Sequence, residues 1–369
     1  MVTPELTPDE RRRYGRHLVI PEVGEAGQLR LKGGSALVVG AGGLGSPTLL
    51  YLAAAGLGRI GIVEFDDVDA SNLQRQVLYG TSDVGRAKID VARARLAEVN
   101  PHVLVEPHAV RLDAKNVIDL VSRYDVVIDG TDNFAARYLV NDACVITRRP
   151  NVYGSVFRFE GQLSVFATKD GPCYRCLHPE PPPPGVIPGC SEAGVLGVLP
   201  GLVGMLQATE AIKLIAGLGE SLIGRLLLID ALGPRFREIR LPKDPQCAVC
   251  GENPSITEPI EYTLLCGDLP VEEAAEISAA ELKRRLDARE PLLLLDVREP
   301  GEHAVDAIEG SRLVPLGQLA SRLDEIPRDR PIAAYCAAGM RSAKAAKMLR
   351  DKGFQAVSLR GGIAAFRGR

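Results

Sequence analysis

Val38-Val39-Gly40-Ala41-Gly42-Gly43-Leu44-Gly45 reads G-x-G-x-x-G, and its flanks decide the fold. A short apolar run, Ala36 to Val39, leads in, and a helical pattern, Ser46 to Ala55, leads out. Strand, glycine turn and helix in that order are the fingerprint of a dinucleotide-type fold. The glycines let the backbone approach a phosphate, and the helix N-terminus offers it unpaired N–H groups. Such folds place an acid about 20 positions on, for ribose hydroxyls. Glu64 stands there, at the end of the second apolar run, Arg59-Ile60-Gly61-Ile62-Val63. A glycine-rich turn without a ligand is a poor account of strand, helix and acid together, so an adenine nucleotide is expected.

The next residues bear on the chemistry. Glu64 opens Glu64-Phe65-Asp66-Asp67-Val68-Asp69-Ala70-Ser71-Asn72-Leu73-Gln74-Arg75-Gln76, which sets Asn72, Arg75 and Gln76 beside the phosphate turn. Lys88 follows on a helical pattern, and Asp129-Gly130-Thr131-Asp132-Asn133 follows the apolar run Val126-Val127-Ile128. Cations and a carboxylate around a nucleotide suit metal-assisted attack on a triphosphate better than hydride transfer. An NAD-dependent oxidoreductase is the rival from another class, and it leaves the polar cluster unexplained.

The set S-N-L-Q-R-Q, Lys88 and T-D-N resembles the MoeB/ThiF group of adenylating enzymes related to ubiquitin activation, over about two-thirds of the chain. The resemblance implies ATP with Mg²⁺. Gly43 would border the phosphates and Glu64 the ribose. Ser71, Asn72, Leu73, Gln74, Arg75, Gln76, Lys88 and Asn133 would complete the nucleotide site. Asp132 and Arg75 would be catalytic, with Asp132 in the Mg²⁺/triphosphate role and Asp129 structural at the strand end. Tyr14-Gly15-Arg16 matches the group's Tyr-x-Arg, where Arg16 would reach the phosphates of the other subunit, so a homodimer is implied.

Composition agrees with a globular chain. At 369 residues, two or three domains are expected, with 46% apolar and 25% charged residues. A net charge of −3 argues against a broad nucleic-acid surface. No uninterrupted apolar run reaches the 18 or so residues of a membrane span. Met1-Val2-Thr3-Pro4-Glu5 lacks the apolar core of a leader, so a cytoplasmic chain is expected. Eight cysteines include two C-x-x-C pairs, Cys173/Cys176 and Cys247/Cys250. In a reducing compartment these predict a closed, structural Zn²⁺ site of four thiolates. A thioredoxin-like motif would account for one pair but not for two.

Strand-like and helical stretches alternate from Ala36 to Thr147, which predicts a doubly wound, mainly parallel sheet of Rossmann type. After Asn151 the pattern changes to a hairpin, Val156–Phe159 and Gln162–Ala167 about a turn at Glu160-Gly161, an antiparallel extension. Leu202–Ala216 reads as a core helix, and Arg225–Asp230 and Phe236–Arg240 as closing strands. Between the cysteine pairs lies Pro181-Pro182-Pro183-Pro184-Gly185, an exposed loop by composition. It runs into Cys190-Ser191-Glu192-Ala193-Gly194-Val195-Leu196-Gly197, which resembles the group's C-x-x-x-G-V-L-G, where the cysteine joins in sulfur or acyl transfer. Cys144 and Cys266 receive no role. The expected domains are 1–251 with the zinc site, a linker 252–275, and 276–369.

The last part has its own signature. Ser278-Ala279-Ala280-Glu281 is a capping box. The buried run Leu292–Leu295 ends in Asp296-Val297-Arg298-Glu299-Pro300, and Ile332–Tyr335 ends in Cys336-Ala337-Ala338-Gly339-Met340-Arg341-Ser342. A loop of six residues between strand and helix aims successive N–H groups inward, a setting that suits an anionic persulfide. A tyrosine-phosphatase loop needs one more residue between Cys and Arg. D-V-R-E-P, C-x-x-x-x-R-S and Leu359-Arg360-Gly361-Gly362 resemble a single rhodanese domain, with Phe366 where such domains usually carry Trp. The two resemblances together imply adenylation of the C-terminal glycine of a ubiquitin-like sulfur carrier ending in Gly-Gly. A persulfide on Cys336, loaded by a cysteine desulfurase or thiosulfate, would then yield a thiocarboxylate. The alternative is a nucleotide-binding scaffold with a separate rhodanese activity.

Overall fold

The structure is a computed structural model that describes residues 5–182, 194–261, 275–337 and 339–368. It divides into two compact units, Met1–Asp268 and Leu269–Arg369.

The first unit is built on eight strands: β1 Ser35–Val39, β2 Arg59–Val63, β3 Leu104–His108, β4 Val126–Asp129, β5 Asn151–Phe157, β6 Glu160–Phe166, β7 Arg225–Asp230 and β8 Arg235–Arg240. Their order is β3-β2-β1-β4-β5-β6-β7-β8. β3 to β5 run parallel, and β6, β7 and β8 are added antiparallel. This is the mainly parallel sheet with an antiparallel extension that the alternation predicts. β1 and β4 are buried along their whole length, as strands covered on both faces must be. One core lies under the helices Gly45–Ala55, Lys88–Val99 and Val198–Ala216, and the other under Val117–Ser122 and Phe134–Thr147.

The helix Val198–Ala216 has 19 residues and, among the described residues, is the one helix long and apolar enough to cross a membrane. It instead packs on β5, β6 and the helix Gly45–Ala55, with Leu199, Val203, Ala208 and Ala211 buried. Its close approach corrects the hairpin expectation. Gly161 lies inside β6, because a Cβ there would meet Val203 Cγ2 at 2.8 Å. The turn falls at Arg158-Phe159, where Arg158 takes the left-handed φ of 52°.

The second unit has a parallel sheet of β9 Glu276–Ile277, β10 Leu293–Asp296, β11 Arg312–Leu313, β12 Ile332–Tyr335 and β13 Ala356–Leu359, in the order β11-β10-β12-β13-β9. Ser278 caps the helix Ala279–Asp287 through the Glu281 N–H. The return half of the expected capping box is replaced by ion pairs from Glu281 to Arg284 and Arg285.

Candidate functional site

The ends of β1, β2 and β4 open on a cavity of about 270 Å³. The C-terminal edge of a parallel sheet, where strand order reverses, is where such folds bind ligands. Gly40 has a φ of 90°, and a Cβ on Gly45 would collide with the Gly40 carbonyl. The turn is thus drawn onto the start of the helix Gly45–Ala55, whose N-terminus no side chain caps. An uncapped N-terminus facing a cavity suits an anion.

Glu64, nearly buried, fixes this turn. Its Oε2 accepts from the Ala41 N–H at 3.0 Å, and its Oε1 from the Phe65 and Asp66 N–H groups. Tyr79 donates from its hydroxyl to the Ala41 carbonyl at 2.8 Å. The N–H and the carbonyl of Ala41, inside the glycine stretch, are therefore both held by side chains that follow β2.

Asn72, Arg75, Gln76 and Lys88 line the cavity with Gly43, Glu64, Asp132 and Asn133. Gln76 donates to Asn72 Oδ1 at 2.9 Å, and Arg75 donates to the Ser71 carbonyl at 3.2 Å. Gln76 Oε1 is buried without a hydrogen bond. Lys88, with 5% of its side chain exposed, donates to Asp66 at 3.2 Å. Ser71, Leu73 and Gln74 do not line the cavity in this chain. Ser71 donates to Asp69 and shapes the turn, Leu73 packs on the core, and Gln74 is exposed beside Gly197. Arg16 is exposed on the short helix Gly15–Leu18, away from this chain's cavity.

Asp132 is exposed at the cavity. An exposed carboxylate beside an anion-binding turn fits Mg²⁺, which takes one or two carboxylates and leaves the rest to phosphates and water. Asn133 Oδ1 accepts from the Ala136 N–H at 2.8 Å and so caps the helix Phe134–Thr147. Asp129 is fully buried, and its Oδ1 accepts from the Thr131 N–H and hydroxyl at 2.9 and 2.6 Å. Burial pushes its carboxyl above the usual carboxylate range, against the pull of Arg137.

Two residues of the site escape a reading of the sequence. Arg137 lines the cavity with 7% exposure, within 6 Å of the Phe134, Tyr153 and Tyr174 ring centres. Gln207 donates to the carbonyls of Asp129 and Val152 at 2.7 and 3.0 Å, tying β4 and β5 together. The available signal is a polar residue on the apolar stripe of a helix.

The four cysteine sulfurs lie within 4.8 Å of one another, with Cys173–Cys247 at 3.5 Å and Cys176–Cys250 at 3.4 Å. Four thiolates about 2.3 Å from a tetrahedral Zn²⁺ stand roughly 3.8 Å apart, so the set fits that ion. The N–H groups of Cys173 and Asp244 point at Cys176 Sγ, both at 3.4 Å, as support for a thiolate. Cys190 and Cys266 lie outside the described residues, and Cys144 is buried in the first unit, where burial pushes its thiol up.

In the second unit Cys336 directly follows β12, with 2% exposure. Its Sγ accepts from the Gly339 N–H at 3.1 Å and lies 3.6 Å from the Ser342 hydroxyl. Gly339 has a φ of 104°, and Gly362 stands where a Cβ would collide with the Cys336 carbonyl. The Ile363 N–H donates to that carbonyl at 2.8 Å, so Gly361-Gly362 clamps the loop from outside. Arg341 makes a two-armed ion pair with Glu302, both contacts 2.7 Å. The arrangement sets a thiol against two donors, the Gly339 N–H and the Ser342 hydroxyl, at the start of the helix Met340–Asp351.

Comparison with known proteins agrees with both halves. The ThiF family profile matches residues 14–249, and the rhodanese-like domain profile matches residues 278–369. A Mycobacterium tuberculosis protein named probable adenylyltransferase/sulfurtransferase MoeZ is 49% identical over 98% of this chain and 94% of its own length. A sulfur carrier protein adenylyltransferase of Thermus thermophilus is 52% identical over 71% of this chain and 98% of its own. The cattle adenylyltransferase and sulfurtransferase MOCS3 is 45% identical over 94% of this chain and 82% of its own. Among solved structures, Escherichia coli MccB superposes with a TM-score of 0.60 at 21% identity, over 67% of this chain and 76% of that one, and shares the fold. With matches of this extent, the chain belongs to the ThiF family and carries a rhodanese-like domain C-terminal to its ThiF domain in the sequence.

Proposed function

We propose that the protein is an adenylyltransferase and sulfurtransferase that turns the C-terminal glycine carboxylate of a small ubiquitin-like sulfur carrier into a thiocarboxylate. The observation that carries this reading is the pairing of a glycine-turn cavity, with Arg75, Lys88 and Asp132 on its walls, and a cysteine held by two donors in a strand-to-helix loop of a second unit. An NAD-dependent oxidoreductase is not supported by that wall chemistry.

ATP is read with its phosphates on the glycine turn and against Asn72, Arg75, Gln76 and Lys88, its ribose toward Glu64. Asp132 would hold Mg²⁺, whose charge would offset that of the triphosphate. A carboxylate oxygen of the carrier attacks the α-phosphorus, the bond to the bridging oxygen breaks, and pyrophosphate leaves. Neutralisation by the surrounding cations is the main lever for such a transfer. The terminal sulfur of a Cys336 persulfide then attacks the acyl carbon, and AMP leaves. The acyl disulfide so formed is opened by a second thiol attacking Cys336 Sγ, which releases the thiocarboxylate and leaves a disulfide for cellular thiols to reduce. Cys190 is the thiol we assign to that step. Zn²⁺ on the four cysteines is structural. The active form is read as a homodimer that shares Arg16, in the cytoplasm, with a cysteine desulfurase or thiosulfate as sulfur donor.

The test incubates the full chain with ATP, Mg²⁺, thiosulfate, a thiol reductant and small proteins ending in Gly-Gly, and follows ATP–pyrophosphate exchange and the mass of each candidate. Exchange that depends on one carrier, with a gain of one sulfur in place of one oxygen, is expected. Exchange with no carrier, or none with any, would sink the reading.

A further inference from the structure

We infer that Thr131, held between buried Asp129 and buried Arg137, is a positioning device for Asp132, a role that rests on the adenylating function proposed above. Three bonds converge on one residue. Its N–H and its hydroxyl both donate to Asp129 Oδ1, at 2.9 and 2.6 Å. Its carbonyl accepts from Arg137 Nη2 at 3.3 Å. Thr131 is therefore fixed at both ends of its backbone. On the far side of Asp132, Asn133 is fixed by capping the next helix. Asp132 is thus a free carboxylate mounted between two immobilised residues.

The supports are themselves anchored. Asp129 has its carbonyl held by Gln207, which comes from the core helix Val198–Ala216. Gly130 donates its N–H to the Val39 carbonyl at 2.9 Å, and a Cβ on it would approach that oxygen to the same distance. The turn that carries Asp132 is in this way locked to the strand that carries the glycine turn. Arg137 is boxed by Phe134, Tyr153 and Tyr174.

The charge arrangement argues against a role in stability alone. Asp129 Oδ2 and Arg137 Nε are buried and carry no hydrogen bond. Burying two charges is costly, and well-packed apolar residues of the same volume often serve stability as well or better. What the charged groups supply here is direction, because each addresses a different atom of Thr131. Groups behind a metal ligand typically govern metal affinity by 10- to 100-fold.

Thr131→Val keeps the shape and removes the hydroxyl donor, whereas Thr131→Ser restores it. Mn²⁺ affinity can be read by electron paramagnetic resonance with a non-hydrolysable ATP analogue, alongside the Mg²⁺ dependence of exchange and amide hydrogen exchange over residues 129–134. Thr131→Val is expected to weaken Mn²⁺ binding by about 10-fold, raise the Mg²⁺ needed for half-maximal exchange similarly, and speed amide exchange locally. Thr131→Ser is expected to stay close to wild type. Arg137→Lys, which keeps the charge but loses the planar fork, should act in the direction of Thr131→Val and serves if that variant does not fold. Unchanged Mn²⁺ affinity in Thr131→Val and Arg137→Lys, or equal damage in Thr131→Ser and Thr131→Val, would overturn the inference. Absence of exchange in the wild type would instead remove the proposed function.

Discussion

Asp132 is one of few cavity acids not already engaged. Glu64 is spent on three backbone N–H groups and Asp66 on Lys88. Its replacement should therefore hurt chemistry more than folding. Asp132→Asn is expected to lower carrier-dependent ATP–pyrophosphate exchange by roughly 10²- to 10³-fold, the usual loss for one group that stabilises developing charge. The melting temperature should stay within a degree or two. Near wild-type exchange would remove Asp132 from the Mg²⁺ role. A second carboxylate makes the opposite case. Asp296 is fully buried, and burial alone would raise its carboxyl, but hydrogen bonds from Arg298 and His303 hold it below the usual range. A lowered folded value means stability that is present above about pH 4, the ordinary aspartate value, and is lost as pH falls below it. Amide exchange in 293–296, corrected for intrinsic rate, should accelerate below that pH in the wild type. In Asp296→Asn it should be faster at neutral pH and nearly flat through the acid range. Asp132 and Cys336 are legible in the sequence because each stands at a fixed offset from a strand end. Arg137 is not, since only the folded helix shows that position to face a cavity.

At the scale of elements, glycines and cysteines decide how helices meet the sheet. Gly204, in the helix Val198–Ala216, faces the helix Gly45–Ala55, and a Cβ there would collide with the Leu44 carbonyl. Thr48 donates to the Gly204 carbonyl at 2.8 Å across the same contact. Gly201, one turn earlier, has open space around it. Gly204→Val should cost about 1–3 kcal/mol and disturb the adjoining phosphate turn. Gly201→Ala should be neutral or gain up to about 1 kcal/mol from helix propensity. Denaturant midpoints of the two variants decide this, and equal effects would refute the packing argument. The four-cysteine cluster joins the helix Tyr174–Leu177 to the segment after β8, so it brings together pieces 74 residues apart. Structural Zn²⁺ contributes folding free energy directly. Cys173→Ser should lower bound zinc and melting temperature together, and a zinc-free variant of unchanged stability would show the cluster to be incidental. The C-x-x-C spacings announce this site in the sequence. The hairpin turn is misread there because Gly161 serves a close helix approach, and a sequence does not distinguish that from a turn.

At the scale of the whole molecule, two chemistries sit on two units with separate sheets and separate cores. Their defects should therefore separate. Cys336 follows β12 in the second unit, whereas the described residues that line the cavity all belong to the first. Cys336→Ala is expected to keep carrier-dependent exchange within about two-fold of wild type, well inside one factor of ten or 1.4 kcal/mol, and to abolish sulfur transfer. Loss of exchange would show that adenylation needs the second unit's cysteine. The harder question is whether one sulfur is enough. Attack by the persulfide leaves the carrier joined to Cys336 through an acyl disulfide, and that bond opens only when another thiol attacks it. External thiols can do so, but a thiol on the same chain acts at a far higher effective concentration. Cys190 belongs to a Pro/Gly-rich stretch that follows the first C-x-x-C pair in the sequence. Cys190→Ala should leave adenylate formation intact and slow thiocarboxylate release when external reductant is scarce, with the acyl disulfide accumulating as a covalent carrier adduct on non-reducing gels. An added strong thiol should restore the rate. Release at the wild-type rate without added thiol would show that Cys336 carries the sulfur alone and that solution thiols complete the turnover.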